Sequence, residues 1–142
     1  MTRLALVLAL VLALGGCSGL QTGPVTKPQR YPDRGEAGAT WATFLWAWHT
    51  GDIDTLLLTT AWRMRDRLDT ELERNPKQAV SEWYRADVQR LEVLEAEWRT
   101  LGDEHAYLHA VLRSERAERL ELDFAFVKRF DGWVITEDRP IR

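Results

Sequence analysis

The feature that most constrains this chain is a change of period near residue 90. Before it, apolar residues recur every three to four positions, the spacing of a helix. After it they alternate, the spacing of a strand. Trp41, Phe44, Leu45 and Trp48 fall at i, i+3, i+4 and i+7, one stripe of a helix that starts near Glu36 and stops at Gly51. Asp33 and Glu36 have capping-box spacing ahead of it. Asp52 can cap a short second helix carrying Ile53, Leu56 and Leu57. Ala61, Met64, Leu68 and Leu72 share a face of a third helix over 61–74, with Arg67 and Glu71 at i,i+4. Its RMRDR run reads as a solvated face with interspersed acids, not as a basic contact patch. Asn75, Pro76 and Gln78 supply cap, first-turn proline and box partner for a fourth helix, which directs Val80, Trp83 and Tyr84 inward.

The alternating half divides into four strands. Leu94, Ala96 and Trp98 alternate with Glu95, Glu97 and Arg99. Ala106, Leu108, Ala110 and Leu112 alternate with His105, Tyr107, His109 and Arg113. Leu120, Leu122, Phe124 and Phe126 define a long third strand, and GWVITED a last one after the hairpin signal Asp131-Gly132. A register slip of one residue would turn a whole strand over. A three-residue first loop pairs Trp98 with Leu108, Ala96 with Ala110 and Leu94 with Leu112, keeping apolar with apolar. A two-residue type I′ turn at Asp131-Gly132 pairs Phe130 with Trp133 and Lys128 with Ile135, which puts Trp133 and Ile135 on the face of Phe124 and Phe126. Helices followed by antiparallel strands mean an α+β fold: N-terminal helices packed in a strongly curved antiparallel sheet of about four strands.

The first residues carry an address. Arg3 precedes eleven uncharged Leu, Ala and Val residues at 4–14, too few for a membrane span of about 20 and suited to the apolar core of a signal peptide. Gly15, Gly16 and the chain's one cysteine, Cys17, follow. An exported protein with a single cysteine cannot close an internal disulfide. The stretch LGGC at 14–17 resembles a bacterial lipobox. The resemblance implies a diacylglycerol on the Cys17 thiol, cleavage before it, and a membrane held through the lipid anchor; stable anchoring takes two or more acyl chains. With Ser18 rather than Asp after the cysteine, it implies the periplasmic face of the outer membrane in a cell with two membranes. Three divisions follow: a signal peptide at 1–16, the lipidated cysteine with a flexible linker at 17–35, and a domain at 36–142. The linker holds three prolines and no period. Without the signal peptide, 18 basic residues face 22 acidic ones, mixed throughout, which argues against a nucleic-acid partner.

Two stretches carry a further resemblance: WATFLWAWHTGDIDTLLLTT, and LELDFAFVKRFDGWVITED. With them, residues 36–139 look like a small bacterial member of the nuclear transport factor 2-like superfamily. That resemblance implies a cone, a curved sheet wrapped over helices with a cavity at the open end. It says less about activity, because the scaffold hosts enzymes, binding subunits and adaptors alike.

Enzymes of that superfamily place Asp, Glu or His inside the cone, often with Tyr. Here the inward positions Trp98, Leu108, Ala110, Leu112, Leu122 and Phe124 are apolar, where a general base needs a carboxylate or imidazole. His105 and His109 should lie on the other face, about 13 Å apart, too far to share a metal. His49 suits the dipole at the end of the first helix. No nucleophile elbow, zinc motif, P-loop or dinucleotide fingerprint occurs in the sequence, so no cofactor and no metal are expected. Of the seven tryptophans, Trp41, Trp48, Trp83 and Trp98 read as core. Trp46 and Trp62 fall off the stripes and are the better candidates for a cavity mouth or partner surface, and Tyr84 and Trp98 complete the candidate contact set. The leading expectation is a non-catalytic envelope lipoprotein that binds a partner protein or a small apolar ligand. The alternative is an isomerase- or hydrolase-type enzyme using Asp123 or Tyr84.

Overall fold

The computed structural model describes residues 20–141; the expected signal peptide at 1–16 and Cys17 lie outside the described residues. A two-residue strand β1 (Gly23–Pro24) precedes α1 (Ala37–Thr50), α2 (Ile53–Thr59), α3 (Trp62–Arg74) and α4 (Lys77–Asp87). The strands β2 (Glu92–Leu101), β3 (His105–Arg113), β4 (Leu120–Arg129) and β5 (Gly132–Pro140) follow. All neighbouring strands are antiparallel, in the order β1-β2-β3-β4-β5. The fold is therefore α+β, with five strands rather than four, and a strand rather than a helix comes first.

That extra strand revises the linker reading. Gly23 and Pro24 pair with Val93 and Glu92, and the Val25 N–H donates to the Leu91 carbonyl at 3.0 Å. Leu20, Val25 and Tyr31 pack on the core. The Asp33 N–H donates to the Thr43 hydroxyl, which donates back to the Asp33 carbonyl (3.0 and 2.9 Å). The Trp133 N–H donates to the Arg34 carbonyl at 2.9 Å. Residues 23–35 form a docked strap. Its prolines keep it extended and remove donors, so it shows no period although much of its backbone is paired.

α1 lies across the inner face of the sheet. The Trp41 ring meets Phe124 edge-on at 4.7 Å, and Phe44 meets it at 6.1 Å. Gly51 closes α1 in the left-handed region (φ 69), where its N–H reaches the last-turn carbonyls. A Cβ there would stand 2.4 Å from the Ser81 carbonyl oxygen, so glycine also permits the close approach of α4. Asp52 caps α2 by accepting from the Thr55 N–H at 3.2 Å. The other two caps differ from expectation. The Asp33 carboxylate accepts from the Gly35 N–H instead of boxing with Glu36. Asn75 donates to the Glu71 carbonyl, closing α3 rather than opening α4. Arg67 pairs with Asp138 of β5 rather than with Glu71, because α3 runs beside that strand. Trp83, expected inward, is half exposed (51%), while Val80 is buried and Tyr84 half-buried.

Trp98 pairs with Leu108 and Ala96 with Ala110 as expected, but a bulge at Leu94 lets Val93, not Leu94, pair with Leu112. In the last hairpin Phe130 and Asp131 form the turn, Gly132 pairs with Arg129, and Trp133 pairs with Lys128. The register is two residues from the expected one, so Trp133 and Ile135 keep their face and are buried. A type I′ turn does not form: the positive φ is confined to Gly132 (129°), whose missing Cβ would meet the Arg34 carbonyl at 2.8 Å. The strap thus selects the register. A further bulge in β5, between the partners of Ala125 and Phe126, adds local bend.

Candidate functional site

α1, α2, α3 and α4, with β4 and β5, line a pocket of about 450 Å³ on the inner face of the sheet. Phe44 and Trp48 come from the α1 stripe, their rings 5.7 Å apart. Leu56, Met64 and Leu68 come from α2 and α3, and Phe124 supplies the sheet side. These are the apolar faces that the helical and strand periods direct inward; here they stop short of closing on one another. Trp83 and Tyr84 stand on α4 at the opening. Asp66, Arg67, Glu71, Asp87 and Asp138 bring charge to the rim, where Arg67 is paired with Asp138.

One polar atom stands out. The Trp48 Nε1–H is buried and has no hydrogen-bond partner among the described residues. A buried donor left unpaired costs about 1–3 kcal/mol. The hydroxyls of Thr60 and Thr70, which line the same pocket, donate to the Leu56 carbonyl at 2.6 Å and to the Asp66 carbonyl at 2.8 Å, and neither accepts from Trp48. Burial raises the Tyr84 phenol above its ordinary range, so Tyr84 is a neutral hydroxyl at the opening.

The expected contact residues do not assemble at one place. Tyr84 lines the pocket. Trp46 stands beside His49 at 5.7 Å and is absent from the pocket wall. Trp98 packs edge-on against Phe126 at 5.2 Å. Trp62 is exposed and lines a depression of about 540 Å³ on the outer face of the sheet with His105, Tyr107, Asp123 and Arg139. Its φ of 49° is strained for an aromatic residue. Cys17 lies outside the described residues. Sequence reasoning placed Trp48 in the core and so missed its pocket role. The available signal was its indole nitrogen: phenylalanine would fill the same stripe without burying a donor.

Asp123 lies on the outer face, where the His109 ring shares a 2.9 Å hydrogen bond with it. The partially exposed pair continues a row from Glu97 on β2 to Arg139 on β5. Asp123 and Tyr84 are therefore on opposite sides of the sheet and cannot act on one substrate atom. Among the described residues, no group of three or more His, Cys, Asp or Glu side chains could hold a metal ion, and no helix is long and apolar enough to cross a membrane. A second cleft, of about 630 Å³, lies between the strap and α1. It is larger but has no buried unpartnered polar atom, and the pocket over Phe124 is the stronger site for that reason.

No protein family matches the chain by sequence, and no curated protein does. Among solved structures, the chain is similar to the solution structure of a SEC-C motif containing protein from Rhodopseudomonas palustris. That likeness has 16% identity and a TM-score of 0.49, covering 75% of this chain and 80% of the other.

Proposed function

We propose that this chain is a lipid-anchored protein of the bacterial envelope, held through Cys17, with a nuclear transport factor 2-like domain that binds a small apolar ligand without catalysis. The observation that carries the binding reading is the pocket: an apolar interior walled by Phe44, Leu56, Met64, Leu68 and Phe124, with its charged side chains gathered at the rim. Pockets of this size and lining bind small molecules. Helices covering one face of a bulged antiparallel sheet, with a cavity between them, are what the cone reading calls for. The anchor reading rests on the LGGC stretch at 14–17, and Ser18 rather than Asp after the cysteine supports the periplasmic face of the outer membrane in a cell with two membranes. For the enzyme alternative, Asp123 faces away from the pocket, and Tyr84 is the candidate that lines it.

The test of binding is the fluorescence of N-phenylnaphthylamine, a neutral apolar dye. It should rise and saturate with the parent chain. Met64→Trp, which fills the pocket, should abolish the rise, and Trp98→Phe, outside it, should not. A rise unchanged by Met64→Trp would remove the pocket from the account. For the anchor, Cys17→Ser should eliminate the acyl mass from the membrane-fraction protein; an unchanged mature mass would contradict it.

A further inference from the structure

We propose that the outer face of the sheet holds a separate binding site, for an uncharged saccharide, between Trp62 and Tyr107. The two rings line the same depression of about 540 Å³ and are 59% and 52% exposed. The strand register explains the hollow. Tyr107 pairs with Ala125 and Ala125 with Glu137, so the side chain between a ring and a carboxylate is a single methyl group. Trp62 reaches this face round the edge of the sheet. Thr60 pairs with Ile135 along β5, and the Ala61 N–H donates to the Ile135 carbonyl at 3.0 Å. The chain then turns at Trp62 into the left-handed region (φ 49°), where α3 starts. That conformation is unfavourable for a residue with a Cβ, and glycine or asparagine would take it more easily. A tryptophan held so, with most of its surface in water, adds little to the core. Strain kept at an exposed aromatic side chain marks a position held for contact.

The rim sets the ligand class. Glu137 accepts from Arg63 at 3.1 Å and from the Arg139 Nε at 2.9 Å, and Asp123 stands opposite Arg139. These two guanidinium and two carboxylate charges cancel, and His105 adds an imidazole. The rim is still rich in donors and acceptors, because the guanidiniums have N–H groups, and the carboxylates lone pairs, beyond those used in these pairs. The ligand called for has flat apolar faces to lie on the rings and edge groups that both donate and accept. A pyranose has C–H groups on its faces and hydroxyls round its edge. A hydrocarbon would take water from the rim groups and give no hydrogen bond back. An ion would meet charges already paired with one another.

The test uses the whole chain carrying Cys17→Ser, which has no acyl group, and follows the indole N–H signals by nitrogen-15 NMR. The Trp62 signal is the one missing in Trp62→Phe. Triacetylchitotriose and cellotriose are uncharged, β-linked and flat-faced, and at least one should shift that signal to saturation. Tyr107→Ala should weaken this binding about tenfold. Ala125→Met, which fills the floor and leaves both rings in place, should abolish it; the spread of the other indole signals shows that each variant is folded. Chitotriose, cationic where triacetylchitotriose is neutral, should bind no more tightly than it. A Trp62 signal that neither neutral sugar moves overturns the site, and so do shifts that survive either folded variant. Tighter binding of chitotriose overturns the assignment to an uncharged ligand.

Discussion

The two faces of the sheet carry opposite kinds of residue, and the acid–base groups lie on the outer face, away from the apolar pocket. The outer face has the row Glu97, His109, Asp123 and Arg139, a set that a sequence search for acid–base groups would pick out. These groups are paired at the surface, His109 with Asp123, Glu97 with Arg99 and Arg139 with Glu137. The inner face carries Leu108, Leu122, Phe124, Phe126 and Ile135, which have no reactive atom at all. Yet the one buried side-chain polar atom without a partner among the described residues is on that side, at Trp48. The comparison separates a surface on which charged groups pair with one another from an inner face where apolar walls leave a pocket.

The comparison breaks first at Phe124. It touches Trp41 and Phe44 and is 1% exposed, so Phe124→Ala should cost about 3–5 kcal/mol as a buried truncation. Denaturant unfolding measures it, and a loss below about 1 kcal/mol would mean the inner face is not a packed core. Gly51→Ala comes next. The left-handed φ and the 2.4 Å approach to the Ser81 carbonyl both oppose a Cβ, and together they should cost about 1–3 kcal/mol in the same measurement. An unchanged midpoint would show that α1 and α4 are not seated against each other as described.

Tyr31 tests the strap. Burial, and after it the hydrogen bond to Asp52 at 2.5 Å, pushes the Tyr31 phenol up to about 12. The folded state thus holds this proton more tightly than the unfolded chain, whose tyrosine titrates near 10. The resulting stability is complete below about pH 10 and is lost as pH rises toward 12. The melting temperature of Tyr31→Phe should fall less steeply across that window than the parent's; identical slopes would detach Tyr31 from the account. On the Asp52 carboxylate, burial pushes upward, but hydrogen bonds from Tyr31 and Thr55 and the charge of Lys77 outweigh it and hold the group below its ordinary range. Its contribution is present above that range and is lost on acidification.

The smallest effect belongs to the outer face. Asp123→Asn removes one partially exposed charge beside His109 and should change stability by no more than about 1 kcal/mol. It should leave binding of N-phenylnaphthylamine unchanged. A loss of binding in Asp123→Asn would connect the two faces and undo the division between them.

Much of this architecture is legible in residue periods. The α1 stripe, the Gly51 stop, the Asp52 cap and the inward alternation of Leu108, Leu122, Phe124 and Phe126 all follow from local spacing, because each depends on neighbours within a few positions. The misses come from distant partners. The strap looks like a linker because its pairing partners, Val93, Thr43 and Trp133, are far along the chain. The last turn shifts because Gly132 packs on Arg34, almost a hundred residues earlier. Trp83 shares a helix with Val80 and Tyr84, yet no element covers it enough to bury it. The pocket was legible only in part: Tyr84 could be singled out from the sequence, whereas the unpaired state of the Trp48 N–H depends on how distant elements pack around α1.

The most direct test of the central claim uses Met64. The chain has two methionines, Met1 and Met64, and Met64 lines the pocket. Carbon-13 labelling of the methionine methyls therefore gives a pocket reporter, assigned by its absence in Met64→Leu. Titration with N-phenylnaphthylamine should move the Met64 methyl signal to saturation along the same curve as the dye's fluorescence. A fluorescence rise that saturates while the Met64 signal stays in place would put the dye elsewhere on the molecule and contradict the claim that the inner-face pocket is the binding site.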